Sequence, residues 1–92
     1  MELHLRGKTA IVTGGSGGLG TALCAGLARE GANVLLSYVT NWERADALTK
    51  QLSGSCGVQA ESFRADVSVE ADAEALFAFA KERFGQIDVL IN

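Results

Sequence analysis

The stretch that decides the fold is Thr13-Gly14-Gly15-Ser16-Gly17-Gly18-Leu19-Gly20. It lies between a short apolar segment, Thr9-Ala10-Ile11-Val12, and a longer segment whose apolar residues recur at three- and four-residue steps up to Gly31. The first segment is typical of a buried β-strand and the second of an amphipathic helix. Glycines in such a turn let a phosphate approach the backbone, and the helix N-terminus supplies free N–H donors for it. The sequence therefore predicts a phosphate-binding loop between strand and helix.

The glycines of this loop fit three spacings found in nucleotide-binding loops. These are G-x-G-x-x-G from Gly15, Gly17 and Gly20, TG-x-x-x-G-x-G from Gly14, Gly18 and Gly20, and TG-x-x-G-x-x-G from Gly14, Gly17 and Gly20. Spacing alone leaves all three open. It also leaves open an ordinary glycine-rich turn that binds no ligand.

Strand and helix patterns alternate along the rest of the chain. We expect strands over 8–13 (β1), 33–39 (β2), 58–65 (β3) and 87–91 (β4). We expect helices over 18–30 (α1), over about 42–52 (α2) and from an N-cap at Ser68 to Gly85 (α3), with a loop over 53–57. This alternation predicts an α/β fold of Rossmann type, a doubly wound parallel sheet with the strand order 3-2-1-4. The more polar β3 then forms an edge, and the ligand crevice lies between β1 and β4.

Composition restricts the function further. The 92 residues are 48% hydrophobic and 21% charged, which suits one compact core. The net charge of −3 and the scattered Lys and Arg residues argue against nucleic acid and membrane as partners. No apolar run approaches the roughly 20 residues of a membrane span, so we expect a cytoplasmic protein. Cys24 and Cys56 have no CxxC spacing and no His cluster near them, so we expect free thiols and no metal site.

Four segments spread over the chain resemble the short-chain dehydrogenase/reductase family in order and spacing. They are Leu5-Arg6-Gly7-Lys8-Thr9-Ala10-Ile11-Val12-Thr13-Gly14, Gly31-Ala32-Asn33-Val34, Ala65-Asp66-Val67-Ser68 and Phe84-Gly85-Gln86-Ile87-Asp88-Val89-Leu90-Ile91-Asn92. The last segment is similar to the approach to the family's Asn-Asn-Ala-Gly motif. The chain looks most like the N-terminal half of 3-oxoacyl-carrier-protein reductases. The resemblance also selects Gly14, Gly18 and Gly20 as the principal glycines.

The resemblance implies a set of residues that bind a dinucleotide cofactor. With the three principal glycines, Ser16, Gly17 and Leu19 would line the pyrophosphate and the adenosine ribose. Asp66 would accept a hydrogen bond from the adenine amino group, with the Val67 backbone beside it, and Asn92 would lie near the ribose. The alternative for Asp66 is a solvated turn carboxylate that caps α3.

The end of β2 predicts which dinucleotide is preferred. An Asp or Glu about 20 residues past the glycines would bind the ribose diol and repel a 2′-phosphate. Here that position is Tyr38, and Ser37, Asn41 and Arg44 offer donors nearby. The sequence therefore favours NADP(H) over NAD(H). Gly17 does not fit this prediction, because NADP-preferring members of the family often carry a basic residue at its position.

No catalytic residue can be assigned in the chain, since the family's catalytic Tyr and Lys lie on a later helix. The resemblance implies that residues 1–92 form one NAD(P)-binding Rossmann segment, incomplete at its C-terminal end. The expected function is the dinucleotide-binding half of an NADP(H)-preferring oxidoreductase that interconverts a small carbonyl substrate and an alcohol. The complete protein is expected to be a homo-oligomer. The alternative is a non-catalytic dinucleotide-binding or interaction module, and a methyltransferase-like adenosine site is disfavoured because it also requires an acid after β2.

Overall fold

The computed structural model describes residues 4–92 of the chain. Its strands and helices alternate as the sequence predicts, and the bounds are β1 Thr9–Val12, α1 Gly18–Arg29, β2 Asn33–Tyr38, α2 Trp42–Cys56, β3 Ala60–Arg64, α3 Glu70–Phe84 and β4 Val89–Ile91. No helix within the described residues is long and apolar enough to cross a membrane.

The four strands form one parallel sheet in the order β3-β2-β1-β4, which confirms the predicted fold class and topology. Every residue of β1 is buried because this strand lies between β2 and β4 and is covered on both faces. In the register of the sheet, Ile11 lies beside Leu35 on one side and Leu90 on the other. Since Thr13 follows β1 and Asn92 follows β4, these two residues meet at the carboxyl end of the sheet.

The helices cover opposite faces of the sheet. One apolar cluster joins α1 and α2 to residues such as Val12, Val34 and Leu36. A second cluster joins Leu76 and Ala80 of α3 to Ile11 and Leu35. Alternate strand residues point to opposite faces, so adjacent positions such as Leu35 and Leu36 serve different clusters. The buried apolar strands therefore need both layers of helix.

Two helix ends follow from glycine at a left-handed position. Gly31, which has φ of 94°, donates through its N–H to the carbonyl of Ala28, and the N–H of Ala32 donates to the carbonyl of Leu27. This is a Schellman motif, which closes α1. Gly57, with φ of 68°, ends α2 in a similar way by donating to the Ser53 carbonyl.

The predicted end of α2 is wrong, because the helix continues to Cys56 through the stretch predicted to be a loop. Serine and glycine have low helix propensity and suggested that loop. However, Leu48, Leu52 and Cys56 lie four residues apart and all pack into the cluster between α2 and the sheet. Tertiary packing of this face therefore holds an extra turn that propensity alone disfavours.

The predicted N-cap of α3 is also wrong. Val69 occupies the N-cap position with extended backbone, and its side chain accepts no hydrogen bond. The Ser68 hydroxyl instead donates to Asp66 Oδ1 at 2.6 Å, and the Ser68 N–H donates to the same oxygen at 3.1 Å. Local side-chain bonding in the preceding turn thus competes successfully with capping.

Candidate functional site

The first half of the glycine loop is fixed by hydrogen bonds to the end of β2. Gly14 has φ of 69°, a left-handed conformation that favours glycine. Its N–H donates to Ser37 Oγ at 3.2 Å, and the N–H of Gly15 donates to the Ser37 carbonyl at 3.1 Å. Ser37 is only 1% exposed. The loop therefore begins with its amides turned toward the protein interior.

Two glycines of the loop are required by close packing. A Cβ on Gly15 would lie 2.6 Å from Leu36 Cβ, and a Cβ on Gly20 would lie 2.5 Å from the carbonyl oxygen of Gly14. Both distances are shorter than real Cβ contacts allow. Any larger residue at either position would push α1 away from the ends of β1 and β2.

The second half of the loop presents unpaired donors. Gly17 N–H donates to the Gly14 carbonyl, and Thr21 N–H makes the first bond of α1 to the Gly17 carbonyl. Within residues 4–92, no acceptor receives the N–H groups of Ser16, Gly18, Leu19 and Gly20. Free amides at the first turn of a helix, with the positive end of its dipole, form an anion-binding site.

There is also open space at this anion-binding site. A Cβ on Gly18 would meet no atom of the described chain within 4 Å, although Gly15 and Gly20 have no such room. The side chain of Leu19 is 78% exposed beside it. A phosphate group could therefore approach the backbone closely at Gly18. The packing of the protein does not itself require a glycine at this position.

Thr13 and Asn92 meet at the predicted crevice between β1 and β4. The Thr13 N–H donates to the Ile91 carbonyl at 2.9 Å. The Thr13 hydroxyl lies 3.2 Å from Asn92 Oδ1 and 3.3 Å from the Ile91 carbonyl, so it can donate to either acceptor. The Asn92 side chain is thereby held at the exposed end of the crevice. Sequence reasoning did not assign Thr13, although the predicted adjacency of β1 and β4 already implied this contact.

The end of β2 carries no carboxylate at the position that discriminates between dinucleotides. Tyr38 is the last residue of the strand, and its ring packs partly against the apolar cluster under α2. Asn41 caps α2 by accepting from the Arg44 N–H at 3.3 Å. Arg44 is exposed, and within residues 4–92 its guanidinium forms no ion pair. This part of the crevice can therefore accept a negative charge without repulsion from Tyr38.

Asp66 lies in the turn after β3, with one carboxylate oxygen in use. Oδ1 accepts both hydrogen bonds from Ser68, whereas Oδ2 receives none within the described chain. The Asp66 N–H donates to Asp72 Oδ2 at 2.9 Å, which fixes the backbone of the turn. The hydrogen bonds from the Ser68 hydroxyl and amide hold the pKa of Asp66 below its ordinary value. Asp66 is therefore an ionised acceptor with one free oxygen, and its neighbour Val67 is exposed.

The buried side chain of Cys24 lies beside Gly15 of the loop. Its Sγ lies 3.3 Å from the place where a Cβ on Gly15 would stand, and burial raises the pKa of the thiol to about 11. Neither this contact nor the steric role of Gly15 could be predicted from sequence, because both depend on where α1 crosses the end of β2. Within residues 4–92, no group of three His, Cys, Asp or Glu side chains could hold a metal.

These features define a nucleotide-binding α/β protein of the Rossmann class, with free amides at the first strand–helix turn. Residues 8–92 match the short chain dehydrogenase family. The protein belongs to the short-chain dehydrogenase/reductase family.

Known relatives agree with this assignment. The chain is 37% identical over 90 residues to L-rhamnose 1-dehydrogenase (NADP(+)) from Thermoplasma acidophilum, which covers 98% of this chain and 35% of the relative. L-sorbose reductase from Gluconobacter frateurii, solved with NADPH and L-sorbose, superposes with a TM-score of 0.93 at 30% identity over 100% of this chain and 35% of its own. NAD+-bound xylitol dehydrogenase gives a TM-score of 0.86 at 31% identity, covering 94% and 32% of the two chains. The chain thus spans about a third of the length of these relatives.

Proposed function

We propose that this chain is the dinucleotide-binding part of an NADP(H)-preferring oxidoreductase that interconverts a carbonyl and an alcohol. The observation that carries the proposal is a set of four amides at the N-terminus of α1, those of Ser16, Gly18, Leu19 and Gly20, which have no acceptor within residues 4–92. Four free donors at one helix N-terminus suit a pyrophosphate, whose oxygens accept several hydrogen bonds at once. Gly14 and Gly17 shape the loop that presents them.

The rest of the crevice suits the adenosine portion of such a cofactor. The free Oδ2 of Asp66 would accept from the adenine amino group, with Val67 beside it. Asn92, held by Thr13, would lie near the ribose. When bound, the nicotinamide of the cofactor supplies hydride transfer, and these residues bind and orient the other end of the molecule.

The preference for NADP(H) rests on the residue at the end of β2. Tyr38 places no negative charge where a 2′-phosphate would lie, and Arg44 offers an exposed guanidinium on the following helix. Among the relatives, L-rhamnose 1-dehydrogenase carries NADP(+) in its name and L-sorbose reductase was solved with NADPH, whereas xylitol dehydrogenase was solved with NAD+. The relatives thus include both kinds, and the proposal of NADP(H) for this chain rests on Tyr38 and Arg44.

The reaction of the whole protein follows from its family. We propose a small carbonyl or alcohol substrate, with 3-oxoacyl groups suggested by the sequence resemblance and sugars or polyols suggested by the names of the relatives. We also propose a homo-oligomer for the complete protein and a cytoplasmic location. The residues that would hold the dinucleotide are the same for each of these substrates.

Binding titrations of the purified chain test the cofactor proposal. We expect NADPH to bind about tenfold more tightly than NADH, because one charge-assisted contact is worth roughly 1.4 kcal/mol. The variant Tyr38→Asp should reverse this order, since a carboxylate there binds the ribose diol and repels a 2′-phosphate. Tyr38→Phe is the matched control, because it keeps the ring packed under α2 and should leave the preference unchanged.

Two outcomes would contradict the proposal at different levels. Tighter binding of NADH by the unmodified chain would overturn the NADP(H) preference alone. Failure to bind NADPH, NADH and ADP-ribose at millimolar concentration would remove the dinucleotide site itself and would favour an interaction module.

A further inference from the structure

We propose that Ser37 is a positioning residue. It holds the first half of the glycine loop by hydrogen bonds and thereby orients the amides that would bind the pyrophosphate. This inference rests on the proposed function. It gives Ser37 a different part from the one expected from sequence, where its hydroxyl was a donor to a 2′-phosphate. The structure buries the residue to 1% exposure, so it has almost no surface to offer a ligand.

Two acceptor atoms of Ser37 bind the N–H groups of two successive loop residues. Its Oγ accepts from the N–H of Gly14 at 3.2 Å, and its carbonyl accepts from the N–H of Gly15 at 3.1 Å. The first bond uses the side chain, and the second uses only the backbone. The side chain therefore decides the orientation of the Gly14 amide, at a residue whose φ of 69° glycine adopts readily.

The contact reaches the unpaired amides through the carbonyl of Gly14. That carbonyl accepts from Gly17 N–H at 3.2 Å, and a Cβ on Gly20 would lie 2.5 Å from it. A rotation of Gly14 would move its carbonyl oxygen and disturb both neighbours. Gly17 and Gly20 flank the amides of Gly18 and Leu19, so the order of the phosphate site depends on the Ser37 hydroxyl.

This arrangement predicts a specific pattern of binding. Loss of the hydroxyl should weaken every ligand that carries a pyrophosphate by the same factor, with or without a 2′-phosphate. A direct contact with the 2′-phosphate would instead weaken NADPH and leave NADH unchanged. The two roles are thus separated by the ratio of the two dissociation constants.

The experiment compares Ser37→Ala with the unmodified chain for NADPH, NADH, ADP-ribose and 2′-AMP. We expect the dissociation constants of NADPH, NADH and ADP-ribose to rise about five- to tenfold together, the effect of one lost buried hydrogen bond. The dissociation constant of 2′-AMP, which has no pyrophosphate, should change less than twofold. Ser37→Thr restores the hydroxyl and should recover most of the affinity.

Ser62→Ala on β3 is the matched control, because the Ser62 hydroxyl makes no hydrogen bond within residues 4–92. It should leave all four constants unchanged. If Ser37→Ala does not fold, Ser37→Cys keeps the size of the side chain and a weak acceptor, and it should weaken the same three ligands by a smaller factor.

Selective loss of NADPH binding in Ser37→Ala, or no loss at all, overturns the inference while leaving the dinucleotide site intact. If the unmodified chain binds none of the pyrophosphate ligands, the proposed function fails, and the role of Ser37 fails with it. Equal loss for NADPH, NADH and ADP-ribose supports the inference even if the preference between NADPH and NADH proves to be wrong.

Discussion

The two halves of the glycine loop have similar compositions but opposite physical roles. From Thr13 to Gly15, the backbone N–H groups donate to β2 and β4, and the glycines pack against Leu36 and α1. From Ser16 to Gly20, four N–H groups find no acceptor in the described chain. The first half is tied to the sheet by its hydrogen bonds, and the second half offers free donors to an anion. A glycine motif therefore combines residues required for folding with residues required for binding.

The steric surroundings of the glycines cut across the two halves, because Gly20 of the second half is also required by packing. Gly14 is required by its positive φ, and Gly15 and Gly20 by close approach to neighbouring atoms. Gly17 and Gly18 face ordinary contact or open space. Substitution by alanine should therefore separate the loss of stability from the loss of binding.

Gly20→Ala should have the largest effect. Its Cβ would overlap the carbonyl oxygen of Gly14 and the backbone of Gly15, so α1 must shift from the sheet. We expect a loss of about 2 kcal/mol or more in the free energy of unfolding, as is typical of overpacking. Dinucleotide affinity should fall at least tenfold as well. Urea unfolding and NADPH titration measure the two effects, and a variant of unchanged stability would show that the close contact is not real.

Gly18→Ala should lose binding without losing stability. The added methyl group meets no atom of residues 4–92 within 4 Å, and alanine is at least as compatible with a helix as glycine. It would stand where the pyrophosphate approaches, so we expect about a tenfold rise in the dissociation constant of NADPH. Gly26→Ala, which also adds a methyl group to α1 in open space, is the control and should bind normally. Normal binding by Gly18→Ala would place the phosphate elsewhere.

The smallest effect concerns Cys24 beneath the first half of the loop. Burial raises the pKa of its thiol to about 11 from an ordinary value of 9.0, so the folded chain keeps the proton that the unfolded chain loses. The contribution of this thiol to the free energy of unfolding is fully present below pH 9. It should fall by roughly 1 kcal/mol by pH 10. Cys24→Ala removes this part of the pH dependence. Alkylation of the native chain at pH 8 should modify Cys56 first, and equal rates for both thiols would contradict the burial.

Much of the fold was predictable because local patterns and topology rules agree. The apolar run of β1 and the polar edge β3 were recognised from sequence, and the strand order followed from the handedness of crossovers. The two edge strands of the sheet, β3 and β4, differ in polarity. The outer strand β3 carries Glu61, paired with Arg83 of α3 at 2.7 Å, whereas Leu90 of the other edge is 46% exposed.

What the sequence could not predict depends on contacts between distant residues. The extra turn of α2 packs the partly buried Cys56 against the core, and the Ser68 hydroxyl donates to Asp66 instead of capping α3. The residues of the candidate site were predicted from a motif, but their division into inner and outer groups was not. It depends on β2 passing directly under the loop, where Ser37 meets Gly14.

Amide hydrogen exchange of the unmodified chain tests this division most directly. With no ligand present, the N–H groups of Gly14 and Gly15 should exchange slowly, because both donate to Ser37. Those of Ser16, Gly18, Leu19 and Gly20 should exchange fast, and addition of ADP-ribose should slow these four by about tenfold or more. If the outer amides are already protected without ligand, or if ADP-ribose protects only the inner pair, the central claim of an anion-binding outer half is wrong.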